Sequence, residues 1–438
     1  MGKRILITSI PSWNKKIGSN TWSSLFSFAD PDDVANIYID NKLPDSEVAS
    51  RYFNIREIDV IKSNLQRNLP TGKETTCKLS ESACPANNST LSEKHKSETG
   101  LLETIRSTLT KRHWKIFQWI REVLWKTGKW NSPELNKFIS DFDPDVFVFS
   151  IESYFYFNRL NEYIIDRFKP SKVIAYMWDD NFTYKQSPHS AVEKIERYFL
   201  RKQVKRLIDK SDSILAIGPK MKKELDVEYK ICSKIITKPL LSDASFIPYK
   251  AHTPVRLLYT GKLIIGRDQT IAKLVRAIQT INSDGIKVIL DIYTTTDLSA
   301  KMREQLEVPG CCVLHPPVPQ NKVFELQRQA DVLIFPESLD DRNLSARLSF
   351  STKLTDYFSA GKCIWAIGNA DLGPIDYIRT EDAGLVSTDE TSIRETLKLI
   401  VNNPNIITEF AQKSFECGQN NHNRENILNT LKHDIIQY

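Results

Sequence analysis

Two stretches of this chain carry residue types spaced to grip a phosphorylated ligand. The first, RLLYTGKLIIGR over 256–267, is an apolar run that ends in a glycine turn with two cations and leads into a helix. At the carboxyl end of a strand in a doubly wound sheet, Gly261 permits close backbone approach, while Lys262 and Arg267 can reach a diphosphate. The second, SFSTKLTDYFSAGKCIWAI over 349–367, joins a hydroxyl cluster to a lysine, a helix and a glycine stop before a buried strand. A helix N-terminus offers free N–H groups and the positive end of its dipole, so Ser351, Thr352 and Lys353 form a phosphate cradle. Asp356 follows one turn later, where a carboxylate can accept hydrogen bonds from two ribose hydroxyls. The plainer alternative makes Ser351 a helix cap and Asp356 a surface residue near the same N-terminus.

Other candidates fall in the first half of the chain. Gly18, Ser19 and Asn20 form a small polar turn after the first strand, open to reading as a ligand loop or as an ordinary strand-to-helix connection. The run YMWDDNFTY over 176–184 follows a strand directly. Trp178 offers a stacking face for a sugar, and Asp179 or Asp180 can bind acceptor hydroxyls or assist their deprotonation. The spacing does not choose between the two aspartates. Glu152, just past another strand, is a further candidate.

These side chains need strands to end beside them and helices to start there. Short apolar runs alternate with amphipathic stretches, the pattern of parallel sheets covered by helices. Strands are predicted at 4–8, 35–39, 146–150, 172–176 and 213–217, then at 256–260, 288–294, 313–315, 332–335 and 363–367. Helices are predicted at 158–167, 192–210, 220–225, 269–281, 321–329, 351–359 and 392–401, with further helix at 406–413 and 427–436. A chain of 438 residues exceeds one ordinary core at roughly 150 residues per domain. The pattern lapses near 238–253, which reads as a linker. The expected domains are therefore 1–240 and 255–415, with 416–438 as a helix that packs back on the first. A polar stretch at 71–99 reads as a mobile insertion.

The run STKLTDYFSAGKCIWA over 351–366 resembles the nucleotide-sugar signature of the family 4 retaining glycosyltransferases. The strand–Gly–Lys–Arg element at 258–267 is similar to the same family and stands in the matching order. The resemblance implies an α/β architecture of the GT-B type, two Rossmann-like domains with a cleft between them. Lys262 and Arg267 would hold the donor diphosphate and neutralise the leaving group, with Ser351, Thr352 and Lys353 lining the phosphates and Asp356 on the ribose. The sequence departs from the family's Glu-x7-Glu pair: Asp356 stands at the second position and Leu348 at the first. Glu337, Asp340 and Asp341 lie upstream without the required spacing, so the donor-sugar carboxylate is unassigned. No cofactor beyond the nucleotide-sugar substrate is expected, and no metal.

Charge and composition set further bounds. A net charge of +6 is mild for this length and argues against a nucleic-acid binder. The seven cysteines show no metal-ligand spacing and read as reduced thiols. Neither a secretory leader nor a run of about 18 apolar residues is read, so the expected place is the cytoplasm, peripheral on the inner face of the cell membrane. The stretch 111–130, KRHWKIFQWIREVLWKTGKW, holds four of the eight tryptophans. At about 100° per residue, Ile116, Phe117, Trp119, Ile120, Val123 and Leu124 share one face, either an interfacial membrane face or one packed in the core. The expected function is transfer of a sugar, hexosyltransferase-like, from a nucleoside-diphosphate sugar to a glycan or polyprenyl-linked acceptor. The setting would be bacterial surface polysaccharide assembly of the capsule or exopolysaccharide kind, with retention. The alternative is a GT-B partner subunit that binds without turnover.

Overall fold

The computed structural model describes residues 2–14, 20–66, 68–75, 77, 114–185, 190–240, 245–341, 343–344 and 346–436. Two sheets organise them. The first has the order β4-β3-β2-β1-β5-β6-β7-β8. Its strands are β1 Ile5–Ser9, β2 Val34–Tyr38, β3 Arg51–Ile55, β4 Gly72–Thr75, β5 Val146–Ser150, β6 Lys172–Met177, β7 Ser213–Ala216 and β8 Lys234–Ile235. The pairs β1–β2, β1–β5, β2–β3 and β7–β8 are parallel, and β4 runs antiparallel to β3. The second sheet has the order β11-β10-β9-β12-β13-β14. Its strands are β9 Val255–Thr260, β10 Val288–Tyr293, β11 Cys312–His315, β12 Val332–Pro336, β13 Cys363–Ile367 and β14 Leu385–Ser387, and all its pairs are parallel.

Parallel strands covered on both faces read as continuous apolar runs, and β1, β5, β12 and β13 are buried at every position. Those strands lie within a residue of their predicted bounds. Strands with polar interiors were not anticipated. β3 contains Asn54, whose amide is buried and donates to Asp40 O at 2.7 Å. β4 is polar throughout and falls at the start of the stretch read as an insertion. The remainder of that stretch, apart from Thr71 and Cys77, lies outside the described residues, as do Gly18 and Ser19. The helix Pro133–Phe142 was also not anticipated, although Ser132 caps it by accepting from Leu135 N at 3.2 Å and Pro133 opens it.

The chain divides into two compact units that do not follow the sheets. One comprises the residues up to Ala175 with Arg206–Asp212; the other comprises Tyr176–Lys205 with the residues from Ser213 onward. In the second unit, Asp331 fastens the segment before β9. Its fully buried carboxylate accepts from His252 N at 3.1 Å, His252 Nδ1 at 2.8 Å and Arg256 N at 2.8 Å. The last helix, Arg424–Ile436, presents buried Asp434, which accepts from Ser213 Oγ at 3.1 Å and pairs with Lys234. Buried His422 sits between Thr237 and Tyr377, 2.8 Å and 2.9 Å away, and burial pushes its pKa down to about 3, so the ring is neutral.

Asp331→Ala strands two backbone N–H groups in the interior and should destabilise the second unit by about 2–4 kcal/mol in a denaturant titration. A shift below about 0.5 kcal/mol would mean that Asp331 is not the anchor of this segment.

Candidate functional site

In the second sheet, β9 and β12 are neighbours whose connections run off in opposite directions. Crevices at such switch points, outside the carboxyl ends of the strands, are where open α/β sheets bind ligands. Gly261 follows β9 there, and Glu337 follows β12. Gly261 has φ +148, and a Cβ on it would lie 1.8 Å from Lys353 Nζ. The glycine thus leaves the space that the lysine fills. Gly266, at φ +82, turns the chain into the helix Arg267–Ile281; a Cβ there would meet Ser338 Oγ at 2.7 Å. The first residue of that helix is Arg267.

The Arg267 guanidinium forms a two-pronged pair with Glu337: Nε to Oε2 at 3.1 Å and Nη2 to Oε1 at 2.7 Å. Glu337 is only 2% exposed. Its backbone is held as well, N donating to Ile367 O at 2.8 Å and O accepting from Thr270 Oγ1 at 2.7 Å. Lys353 lies in the first turn of the helix Thr352–Ala360. Its ammonium donates to Tyr259 Oη at 3.3 Å and stands 4.9 Å from the centre of that ring. Burial and the like charge of Arg267, offset by Glu337 and Asp356 and reinforced by Lys262, bring its pKa down to about 8. Lys262 itself is exposed.

Ser351 does cap the helix, accepting weakly from Lys353 N at 3.4 Å. Thr352 is its first residue and is half-buried. Asp356 is not a solvated surface carboxylate. Lys238, 5% exposed, donates to its Oδ1 at 2.6 Å. Burial pushes the Asp356 carboxyl above its ordinary range, while Lys238 pulls it back. Lys238 was read only as the start of a linker, and nothing in its local sequence marks it as the partner of a carboxylate 118 residues away. Around this point Lys238, Lys262, Arg267 and Lys353 meet the carboxylates Glu337 and Asp356, an excess of two positive charges. The arrangement can neutralise a dianion. Among the described residues, no cluster of His, Cys, Asp and Glu is composed to hold a metal.

No family model matches this chain, and no curated protein does either. Solved structures do match. HepE of Anabaena, in complex with UDP and glucose, aligns over 100% of both chains with a TM-score of 0.60 and 8% identity. Sucrose-phosphate synthase from Thermosynechococcus elongatus aligns over 99% of this chain and 98% of its own, with a TM-score of 0.58 and 13% identity. TarM aligns at 0.52 and 10% identity over 68% of this chain, which spans only 57% of TarM. The fold is GT-B. At these identities the likeness extends to the fold and no further.

The GT-B chain treats the adjacent Asp179 and Asp180 differently. Asp180, 1% exposed, accepts from Thr183 N at 2.9 Å, Thr183 Oγ1 at 2.5 Å and Arg347 Nη2 at 3.1 Å. Arg347 is itself buried and also pairs with Glu224, Nη2 to Oε2 at 2.9 Å. Asp179 is exposed as a residue, its backbone O accepts from Asn181 N at 2.8 Å, and its carboxylate sits against Ser349, whose Oγ donates to it at 2.8 Å. Desolvation raises the Asp179 carboxyl above the ordinary range; Ser349 opposes this and Asp180 adds to it. Trp178 packs edge-on against Tyr176, with ring centres 5.5 Å apart. Of the pair, Asp179 is the carboxylate free to meet a ligand, and Asp180 ties its loop to Arg347. Arg347 carries no signal in its local sequence, and Ser349 is marked there only as part of the hydroxyl cluster at 349–352.

Candidates in the other unit are placed separately. Asn20 begins the helix Asn20–Leu25, and its side chain lies outside the described residues. Glu152 is 8% exposed, accepts from Ser150 Oγ at 2.7 Å and has its backbone clamped by the Asn158 amide. The helix Trp114–Thr127 turns Trp125, Arg121 and Glu122 toward the protein. Trp125 stacks on Tyr156 at 4.4 Å, Arg121 bonds Tyr156 Oη at 2.6 Å, and Glu122 accepts from Tyr156 N at 3.3 Å. Phe117, Trp119, Ile120 and Val123 are left exposed, and Trp119, Ile120, Val123 and Leu124 line an apolar groove of about 350 Å³. Of the two readings of this face, the core-packed one does not hold, because Trp125 and the two charged residues occupy the inward side. No helix among the described residues is long and apolar enough to cross a membrane.

Lys353 is charged below pH 8 and neutral above it, so affinity for a nucleoside diphosphate should fall about tenfold from pH 7 to pH 9. The same titration by calorimetry with Lys353→Met removes the ligand's own ionisation from the comparison. Equal pH slopes in the two proteins would exclude Lys353 as an anion contact. Gly261→Ala should weaken binding as strongly as Lys353→Met, since the methyl group displaces the ammonium.

Proposed function

We propose that this protein is a glycosyltransferase of the family 4 type, which moves a sugar from a nucleoside-diphosphate sugar to a glycan acceptor with retention. The observation behind the reading is the cationic crevice at the β9–β12 switch point. Lys353 there is partly discharged by its like-charged neighbours and burial, and an incoming diphosphate would stabilise its charged form. Lys262, Arg267 and Lys353 would stabilise charge on the departing diphosphate, the main catalytic help in a reaction that needs no protein nucleophile. Ser351 and Thr352 would offer the helix N-terminus to the same phosphates, and Asp356, oriented by Lys238, would take the ribose. Asp179 is the carboxylate we assign to the acceptor.

HepE was solved with UDP, so uridine is the base to try first. The exposed apolar face of Trp114–Thr127, flanked by exposed Lys126 and Lys129, suits a bilayer surface. It supports a lipid-linked acceptor, a place at the inner face of the cell membrane and a role in surface polysaccharide assembly. A partner subunit without turnover would share the nucleotide site, so it is separated from this reading only by turnover with an acceptor.

Thermal melts with UDP-, GDP- and ADP-sugars should show one nucleotide class raising the melting temperature, and Lys353→Ala should remove most of that rise. Absence of stabilisation by all three would sink the donor-site assignment. Stabilisation without sugar turnover on native membranes would favour the partner subunit.

A further inference from the structure

The helix Ala191–Asp209, AVEKIERYFLRKQVKRLID, carries an apolar stripe that its own fold does not use. Leu200 and Val204 are buried. On the other side Val192, Ile195 and Phe199 are each 54% exposed and Tyr198 is 46% exposed. At roughly 100° per residue these four fall within an arc of about 120°. Lys202 lies inside that arc, its ammonium 4.6 Å from the Tyr198 ring centre, and Lys194 and Lys205 border it; all three are exposed. Of the carboxylates of this helix, Glu193 and Glu196 are only partly exposed, Glu193 on another face and Glu196 bordering the arc, and exposed Asp209 falls in the arc at the far end, so the lysines outnumber the carboxylates along the stripe.

Two of the arginines point elsewhere, while exposed Arg206, within the arc, pairs with Glu162, Nε to Oε1 at 2.8 Å. Arg197 Nη1 donates to Asp180 O at 2.8 Å, and Arg201 Nη1 donates to Phe182 O while its guanidinium covers the Tyr184 ring at 4.5 Å. These bonds fix the helix to the loop that carries Asp179. Arg197 and Arg201 thus secure the loop, while the lysines rim the exposed stripe.

We propose that this stripe is a docking surface for an anionic bilayer beside the acceptor loop, and that the acceptor is therefore presented from a lipid surface. Aliphatic side chains and phenylalanine would enter the acyl boundary, tyrosine would lie at headgroup level, and lysines would extend their stems to anionic headgroups. Charge selects this occupant. A second copy of the same face brings lysines against lysines, whereas a bilayer rich in anionic lipid neutralises them. The stripe lies in a different compact unit from Trp114–Thr127 and stands on its own observations. Only its bearing on the acceptor rests on the function proposed above.

The test uses the full chain sedimented with vesicles of phosphatidylcholine alone or mixed with phosphatidylglycerol, with nucleotide-sugar melting shifts measured in parallel. Wild type should bind the mixed vesicles. Ile195→Asp/Phe199→Asp should reduce that binding at least about tenfold and leave the nucleotide shift unchanged. Lys194→Glu/Lys202→Glu should cost about twentyfold on mixed vesicles and little on neutral ones. If the aspartate variant loses its cooperative melt, the lysine pair decides alone. Wild type that fails to bind, or variants that bind as wild type does, would overturn the proposal. So would a wild-type dimer that the aspartate pair converts to monomer without altering vesicle binding. A missing nucleotide shift beside intact vesicle results would count against the donor reading instead.

Discussion

A buried carboxylate cannot sit at the end of β12 without a counter-charge, and the half-buried Arg267 guanidinium, at the start of the helix after β9, pairs with Glu337 to meet that demand. It is possible only because β12 is the neighbour of β9. The strand order brings a residue 70 positions away to within hydrogen-bond distance. With Arg267 held, Gly261 can leave its side-chain space to Lys353, and Tyr259 gives that ammonium both a hydroxyl and a ring face. The pair neutralises one cation and leaves the others in excess. That residue of positive charge is the chemical character of the site.

The same logic orders the loops around it. Asp356 would be a costly buried carboxylate without Lys238, and Asp180 would be one without Arg347. Each pairing also restrains a segment with little regular structure of its own: the stretch after β8 in one case and the 178–185 loop in the other. The Asp180–Arg347 and Asp179–Ser349 contacts join the 178–185 loop to residues 347–349 within one compact unit.

The two amphipathic helices show how far periodicity reaches. In Trp114–Thr127 and Ala191–Asp209 the spacing of apolar residues defines a face, but spacing is indifferent to what covers that face. Arg121 and Glu122 turn inward because Glu57 and the Tyr156 backbone N–H wait for them; Arg197 and Arg201 do so because the carbonyls of Asp180 and Phe182 are there. With these polar groups held on the inner side, part of the apolar surface of each helix is left to the outside.

Local sequence was enough for the alternation of strands and helices, for the buried strands and for the glycine turn with Lys262, Arg267 and Lys353. Those features depend on neighbours within a few residues: side-chain period, capping hydroxyls, and glycine's freedom at positive φ. It could not supply Glu337 as the partner of Arg267, Lys238 as that of Asp356, or Arg347 as that of Asp180. It also could not separate exposed Asp179 from buried Asp180, which are adjacent in the chain and alike in composition. Those assignments belong to the tertiary structure, because desolvation and Coulomb attraction act through space and leave no trace in the spacing of residues along the chain.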